Sequence, residues 1–121
     1  MTQEEKEILF KDLCSRLPYS LCVRDEYGDI YYINYNNVHF ANYFDSILNG
    51  EIKPYLFPLS SMTEEEKEEY CQLQQRIIYN NKGVVNEDVT KYINYCYKKH
   101  LDINNLIPMG LAIDATGLNI Y

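Results

Sequence analysis

The most constraining feature of the sequence is that its hydrophobic period changes twice along the chain. Apolar residues recur at helical spacing up to Pro18, alternate with polar residues from Tyr19 to Phe57, and return to helical spacing after Pro58. A period near 3.6 residues predicts an amphipathic helix, whereas a period of two predicts a strand with one buried face. No linker, repeat or low-complexity tract separates these segments. Residues 1–121 are therefore predicted to form a single α+β domain.

The first helix is predicted from a capping box at its start and a proline at its end. Thr2 and Glu5 stand three residues apart, so each side chain can bond an unpaired backbone N–H of the first turn. Pro18 ends the helix, because the residue before a proline disfavours helical backbone angles. Asp12 and Arg16 are four residues apart and are predicted to form an ion pair on the exposed flank.

Two longer helices are predicted in the second half of the chain. A second capping box, Thr63 with Glu66, starts one of them, and Asn86 can cap the next. A short helical turn is expected at 105–109, and residues 111–121 are expected to pack as an extended tail. The buried stripe of the first of these helices is predicted to contain Tyr70, Leu73, Ile77 and Ile78.

Four short strands are predicted between the N-terminal helix and the two later ones. Asp25 to Gly28 has the composition of a turn. The pair Asn49 and Gly50 predicts a hairpin, because both residue types tolerate the left-handed angles of a type I′ turn. Sequential strands joined by short turns predict a four-strand antiparallel meander, a small barrel-like sheet. The predicted strands are 20–24, 30–35, 38–43 and 51–57.

Composition and charge exclude several classes of protein. The 121 residues include 11 Lys+Arg and 18 Asp+Glu, and the formal net charge of −7 opposes general binding to a nucleic acid polymer. No apolar run approaches the ~18 residues that a membrane span needs, and the acidic N-terminal segment lacks the form of a signal peptide. The four cysteines have no paired spacing and are predicted to be reduced. The sequence predicts a soluble, acidic, cytoplasmic domain.

Recognisable enzyme motifs are absent from the sequence. It contains no phosphate-binding glycine loop, no nucleophile elbow and no zinc-protease motif. Cys96 and His100 lie four residues apart on one predicted helix face, a spacing that suits a metal ligand pair or a Cys–His dyad. The alternative, that Cys96 is a core residue and His100 caps the helix, is favoured because no further ligand spacing accompanies them. We therefore predict a non-enzymatic protein with no metal and no cofactor.

Tyrosine is unusually frequent, with 13 residues, many of them in the predicted strands. Aromatic rings beside an arginine can stack a nucleobase and bind a phosphate even in a protein of negative net charge. On this basis the candidate ligand-binding residues are Tyr19, Arg24, Tyr31 and Tyr55. The alternative is that the tyrosines only pack in the sheet, because tyrosine favours strands.

A second candidate surface is acidic. Residues 64–69 carry five carboxylates in six positions, and Glu4, Glu5 and Glu7 add more at the start of the chain. Such a surface can imitate a nucleic-acid backbone or engage a basic protein. The alternative is that these residues only complement the helix dipole, since the first turns of helices are commonly acidic.

Three blocks of the sequence resemble a known family. They are LFKDLCSRLPY at 9–19, KPYLFPLSSMT at 53–63, and HLD at 100–102 together with LIPMGLAIDA at 106–115. Their combination resembles small uncharacterised proteins from Bacteroides-type gut bacteria and their phages and prophages. The resemblance implies a bacterial, phage-associated setting, and it carries over no catalytic or binding residue.

Together these observations predict a non-enzymatic, phage-associated binding protein that counters host defence. The most specific version of this prediction is that the protein sequesters a nucleotide immune signal in a tyrosine-lined pocket, either within one subunit or in a homo-oligomer. The alternative is an acidic inhibitor or regulator that binds a host or phage protein through residues 64–69. In either form the protein is expected to act in the cytoplasm of the bacterial host cell.

Overall fold

The computed structural model describes residues 1–34, 45–78 and 86–121, and it confirms a mixed α/β architecture. The longer helices are α1 (Gln3–Arg16), α2 (Glu64–Ile78) and α3 (Asn86–Lys98). Short 3₁₀ turns lie at Leu17–Tyr19 and Leu59–Ser61. The strands are β1 (Leu21–Arg24), β2 (Ile30–Ile33), β3 (Lys53–Leu56) and β4 (Ile113–Asp114).

Helix α1 begins as predicted, but its ion pair is not on the exposed flank. The Thr2 hydroxyl accepts a hydrogen bond from the Glu5 backbone N–H at 3.1 Å, as the capping box requires. Asp12 and Arg16 do form an ion pair, with Nε and Oδ2 2.6 Å apart, yet both side chains are 0% exposed. The two residues share the buried face of the helix with Leu9, because positions 9, 12 and 16 fall on one side at 3.6 residues per turn.

The sheet differs from the predicted antiparallel meander. Its strand order is β2-β1-β3-β4, in which β1 pairs antiparallel with β2 and β3, whereas β3 pairs in parallel with β4. The prediction of a purely antiparallel, barrel-like sheet is therefore wrong, because the fourth strand comes from the tail and leaves the sheet open. The predicted strand at 38–43 lies outside the described residues.

Strand β1 is buried on both faces, not on one. Leu21 and Val23 pack with α1 residues in the larger apolar cluster. Cys22 points to the opposite face, where it packs with Tyr55 and Ala115 in a smaller cluster. The tail thus covers the face of the sheet that α1 does not cover.

The pair Asn49 and Gly50 ends a helical segment instead of forming a hairpin turn. Residues 45–48 are helical. The N–H groups of Gly50 and Glu51 donate to the carbonyls of Ile47 and Ser46, at 3.0 and 2.9 Å, which is the Schellman pattern. Gly50 has φ of +79°, so the predicted left-handed conformation is present, but it serves a helix C-terminus.

Helices α2 and α3 pack against each other, and α2 contains no buried residue. The hydroxyls of Tyr70 and Tyr92 lie 3.0 Å apart across this pair. Three residues of the predicted stripe, Tyr70, Leu73 and Ile77, are half-buried and not buried, and the fourth, Ile78, is 69% exposed. Within the described ranges, no helix is both long and apolar enough to cross a membrane.

The segment between α3 and β4 is held by a carboxylate and not by a helix. Both oxygens of Asp102 accept backbone hydrogen bonds, from Leu106 at 2.8 Å and Ile107 at 2.9 Å. Residues 106–110 form a turn where a short helical turn was expected. Gly110, with φ of +75°, closes this turn.

Candidate functional site

A groove of about 600 Å³ lies between the end of α3, the segment after β3 and the tail. Five rings line it, and we call it the aromatic groove. Two lysines, two serines and one carboxylate, that of Glu66, supply its polar groups. The rings are those of Tyr19, Tyr32, Phe57, His100 and Tyr121, the lysines are Lys98 and Lys99, and the serines are Ser20 and Ser61.

Tyr121 is the best-anchored ring of the aromatic groove. Its hydroxyl accepts a hydrogen bond from the Cys22 backbone N–H at 2.8 Å and donates one to the Tyr55 carbonyl at 2.8 Å. The hydroxyl thus bridges β1 and β3. Burial raises the pKa of Tyr121 above its ordinary value, so the hydroxyl keeps the proton that it donates. The residue as a whole is 41% exposed, and it lines the groove.

Three other rings surround Tyr121. His100 stacks on it, with ring centroids 3.6 Å apart and planes 13° apart. Phe57 lies at 5.8 Å in a tilted arrangement, and Tyr32 meets it edge-on at 6.5 Å. The Tyr32 hydroxyl donates to the Ile120 carbonyl, which ties β2 to the tail. These contacts fix the orientation of the Tyr121 ring before any ligand arrives.

His100 occupies a backbone position that usually belongs to glycine. Its N–H donates to the Tyr97 carbonyl at 3.1 Å, and the Leu101 N–H donates to the Cys96 carbonyl at 2.9 Å. This Schellman pattern places His100 in the left-handed region, with φ of +57°. A side chain there costs about 1–2 kcal/mol relative to glycine.

The His100 imidazole is uncharged and has an unused nitrogen. The side chain is only 7% exposed, and its Nδ1 has no hydrogen-bond partner. Burial, together with the nearby positive charge of Arg16, lowers the pKa of His100 to about 4. A buried polar atom without a partner is costly, because the loss of its hydrogen bonds to water is not compensated.

Ser20 is a second strained residue of the aromatic groove. It has φ of 54° and ψ of 95°, a backbone conformation that residues other than glycine rarely adopt. Its hydroxyl accepts a hydrogen bond from the Asn34 amide at 3.2 Å. Strained backbone tends to cluster at functional sites, and Ser20 and His100 line the same groove.

The buried ion pair of α1 contacts the wall of the groove through Arg16. Besides its bonds to Asp12, Arg16 donates from Nη2 to the Leu101 carbonyl at 2.7 Å. Its guanidinium lies 4.9 Å from the centre of the Tyr97 ring. Since Leu101 lines the aromatic groove, this bond connects α1 to the groove wall.

The structure separates the four predicted ligand-binding residues. Tyr19 lines the aromatic groove, whereas Arg24 lines a different cavity of about 240 Å³. Tyr31 donates its hydroxyl to the Asp25 carboxylate and packs against the larger apolar cluster. Tyr55 is 4% exposed and belongs to the smaller cluster. Within one subunit the four residues therefore do not form a common pocket, and a ligand contact by any of them stays a prediction.

Cys96 and His100 differ in their surroundings from a Cys–His dyad. Cys96 is fully buried, and burial raises the pKa of its thiol, which opposes formation of the reactive thiolate. His100 stands beyond the end of α3 in a left-handed conformation, not on the helix face. In the described part of the chain, His, Cys, Asp and Glu side chains form no group of three or more that could hold a metal.

Sequence reasoning missed most of the aromatic groove. Tyr121 lies 66 residues from the Tyr55 carbonyl that it contacts, and no local pattern reports such a contact. One signal was available, because the helix that contains Cys96 ends at Lys98 and is followed by Lys99 and His100, with no glycine to end it. Comparisons with protein-family models, curated protein sequences and solved structures gave no match.

Proposed function

We propose that the protein is a non-enzymatic binding protein that holds a nucleotide in the aromatic groove. The observation that carries the proposal is Tyr121, a residue of the groove lining whose ring is anchored through its hydroxyl and stacked on His100. A ring held in this way is a stacking platform for a planar heterocycle, and such stacking contributes about 1–3 kcal/mol per base.

Preorganisation supports this use of Tyr121. Side chains that become ordered only on binding cost about 0.5–1.5 kcal/mol each, and this cost is subtracted from the affinity. Tyr121 avoids it, because two hydrogen bonds and the His100 ring already fix it. The groove volume of about 600 Å³ falls in the range of small-molecule sites.

We propose that the protein binds its ligand and does not catalyse a reaction on it. The Ser61 hydroxyl donates to the Pro58 carbonyl at 2.7 Å, and the Cys96 thiol is buried with a raised pKa. Neither group is arranged as an activated nucleophile beside a base. In the phage-associated setting that the sequence resemblance implies, a bound nucleotide signal would be withheld from the host defence system.

Thermal unfolding with added nucleotides tests the proposal. We expect one or more of AMP, GMP, CMP and UMP to raise the melting temperature, because a ligand at 100 times its Kd adds about 2.7 kcal/mol to the free energy of unfolding. For a domain of this size that corresponds to about 10 °C. Absence of any shift at millimolar concentration of all four nucleotides would refute the proposal.

A matched pair of tyrosine variants locates the site. Tyr32 lines the aromatic groove and is 51% exposed, whereas Tyr27 is 82% exposed and lies in the turn between β1 and β2. Tyr32→Leu is expected to weaken nucleotide binding, and Tyr27→Leu is expected to leave it unchanged. Equal affinities of the two variants would place the nucleotide outside the aromatic groove.

The exposure of α2 favours one second candidate function, the binding of a basic protein. Glu64, Glu65, Glu68 and Glu69 are all exposed, and α2 contains no buried residue. Association through these carboxylates would weaken as salt is added. Conversion of the four glutamates to glutamine would then abolish the association, and unchanged association would exclude this surface.

A further inference from the structure

We propose that residues 117–121 form a strap with two states, and that β1 and β3 close on each other when the strap is released. In the docked state, which is the one described above, the Tyr121 hydroxyl stands between the two strands. In the released state, the backbones of Cys22 and Tyr55 bond directly to each other. This inference goes beyond the proposed function and involves no ligand.

The pairing of β1 with β3 stops where Tyr121 enters the sheet. In the described sheet, the last pair of these two strands is Val23 with Pro54, and the same register would next place Cys22 opposite Tyr55. Pro54 has no N–H, so its pair is of the kind that does not exchange hydrogen bonds. Because the two kinds alternate, the Cys22 N–H is in register to donate to the Tyr55 carbonyl.

The Tyr121 hydroxyl takes the place of that direct bond. It accepts from the Cys22 N–H at 2.8 Å and donates to the Tyr55 carbonyl at 2.8 Å. With a near-tetrahedral angle at the hydroxyl oxygen, the two backbone groups lie roughly 4.5 Å apart, about 1.5 Å farther than in a direct bond. A small movement of β1 towards β3 would therefore complete the ladder.

Release of Tyr121 followed by closure leaves neither backbone group without a partner. Cys22 and Tyr55 are both buried, so their groups would be costly to leave unpaired if each depended on Tyr121 alone. They are, however, a donor and an acceptor in register, and closure pairs them with each other. The phenol hydroxyl meanwhile regains its hydrogen bonds to water. The docked and released states thus have comparable hydrogen bonding, as two interconverting states of one fold require.

The attachment of the strap is confined to its end. Residues 117–119 are exposed. The hydrogen bonds that join the strap to the described strands come from Ile120 and Tyr121, and the Tyr121 ring also stacks on His100. A segment with few buried contacts and an exposed backbone is of the kind that opens locally without global unfolding.

Release of the strap also changes the aromatic groove. Ile120 and Tyr121 both line the groove, so its wall is complete only in the docked state. Any ligand that needs this wall binds the docked fraction of the protein, and its apparent affinity falls in proportion to that fraction. The strap is therefore a device that controls how much of the protein has a complete groove.

Amide hydrogen exchange of Tyr121→Gly, measured residue by residue by NMR, tests the closure of the strands. The variant lacks the bridging hydroxyl and represents the released state. We expect the exchange rate of the Cys22 amide, relative to that of Leu13 in α1, to stay within about tenfold of the wild-type ratio, because the Tyr55 carbonyl replaces the hydroxyl. A larger rise would show that the strands do not close and would overturn the proposal. Tyr27→Gly, in the exposed turn between β1 and β2, is the matched control and should leave the ratio unchanged.

NMR relaxation dispersion of the wild-type protein provides the second arm and does not depend on any variant that folds. We expect the amides of residues 117–121 and of Cys22 to show exchange with one common rate, on the microsecond to millisecond timescale of local rearrangements. Exchange in the strap without exchange at Cys22 would mean that the strap moves independently of the strands. Absence of exchange at both would make Tyr121 a fixed anchor. Either result would overturn the two-state strap, and neither would affect the proposed function, because no nucleotide is present.

Discussion

The buried ion pair between Asp12 and Arg16 is expected to make Asp12→Ala one of the most destabilising single substitutions in this protein. The substitution removes two hydrogen bonds from Arg16, at 2.6 and 2.9 Å, and one from Asn104 at 2.8 Å. The guanidinium, which is 0% exposed, would then keep only its bond to the Leu101 carbonyl. A buried charge without its counter-ion costs about 3–5 kcal/mol, a large share of the roughly 5–15 kcal/mol that stabilises a domain.

Urea unfolding followed by circular dichroism measures this loss. Two controls separate the buried charge from other effects. The double variant Asp12→Leu with Arg16→Met removes both charges, and it should cost much less than the single variant, because apolar residues of similar size often replace a buried ion pair without loss. Glu87→Ala breaks the exposed pair with Lys91, and it should cost less than about 1 kcal/mol.

Two results would contradict this prediction. If Asp12→Ala loses less than about 1 kcal/mol, Arg16 is not held in a desolvated position by Asp12. If the double variant loses as much as the single one, the cost comes from packing at positions 12 and 16 and not from the unpaired charge. Either result would remove the argument that α1 supports the groove wall through Arg16.

Two further predictions concern residues of the aromatic groove. The pKa of His100 is about 4 in the folded protein, against an ordinary value of 6.5. Between pH 4 and pH 6.5, His100 therefore binds a proton in the unfolded chain but not in the folded one. The free energy of unfolding should therefore fall as the pH is lowered from 6.5 to 4, by at most about 3 kcal/mol. His100→Asn should remove this part of the pH dependence in urea unfolding, and parallel curves for the two proteins would contradict it. Tyr121→Phe removes the hydroxyl that pairs with the N–H of Cys22 and the carbonyl of Tyr55, so it should lower the free energy of unfolding by about 1–3 kcal/mol. The control Tyr27→Phe, at an exposed turn, should lower it by almost nothing. Thermal unfolding of the two variants measures the difference.

The starts of α1 and α2 could be predicted from the sequence because their determinants are local. Thr63 and Glu66 form the reciprocal bonds of a capping box, at 3.0 and 3.1 Å, as Thr2 and Glu5 do in part at the start of α1. Four residues contain all the information that such a cap requires. The same locality explains why Gly50 was correctly expected to adopt a left-handed conformation.

The sheet order could not be predicted because its determinants are distant in sequence. Tyr55 pairs with Ile113 across 58 positions, and this parallel pair decides that the sheet is mixed. The exposed placement of the Asp12–Arg16 pair was wrong for a different reason. Charged residues are mostly exposed, and only the tertiary contacts of Arg16 with Leu101 and Tyr97 show why this pair is an exception.

The candidate site depends on local and on distant determinants, and His100 depends on both. Its left-handed backbone follows from local chemistry, since α3 must end and no glycine is present to end it. Its stacking on Tyr121 follows from the distant tail. Glycine at position 100 would relieve the backbone strain and the unpartnered Nδ1, yet it would also remove the ring that supports Tyr121. His100 therefore lowers stability in two ways while its ring supports Tyr121 in the groove, and such a loss of stability is what the proposed binding function would lead us to expect at this position.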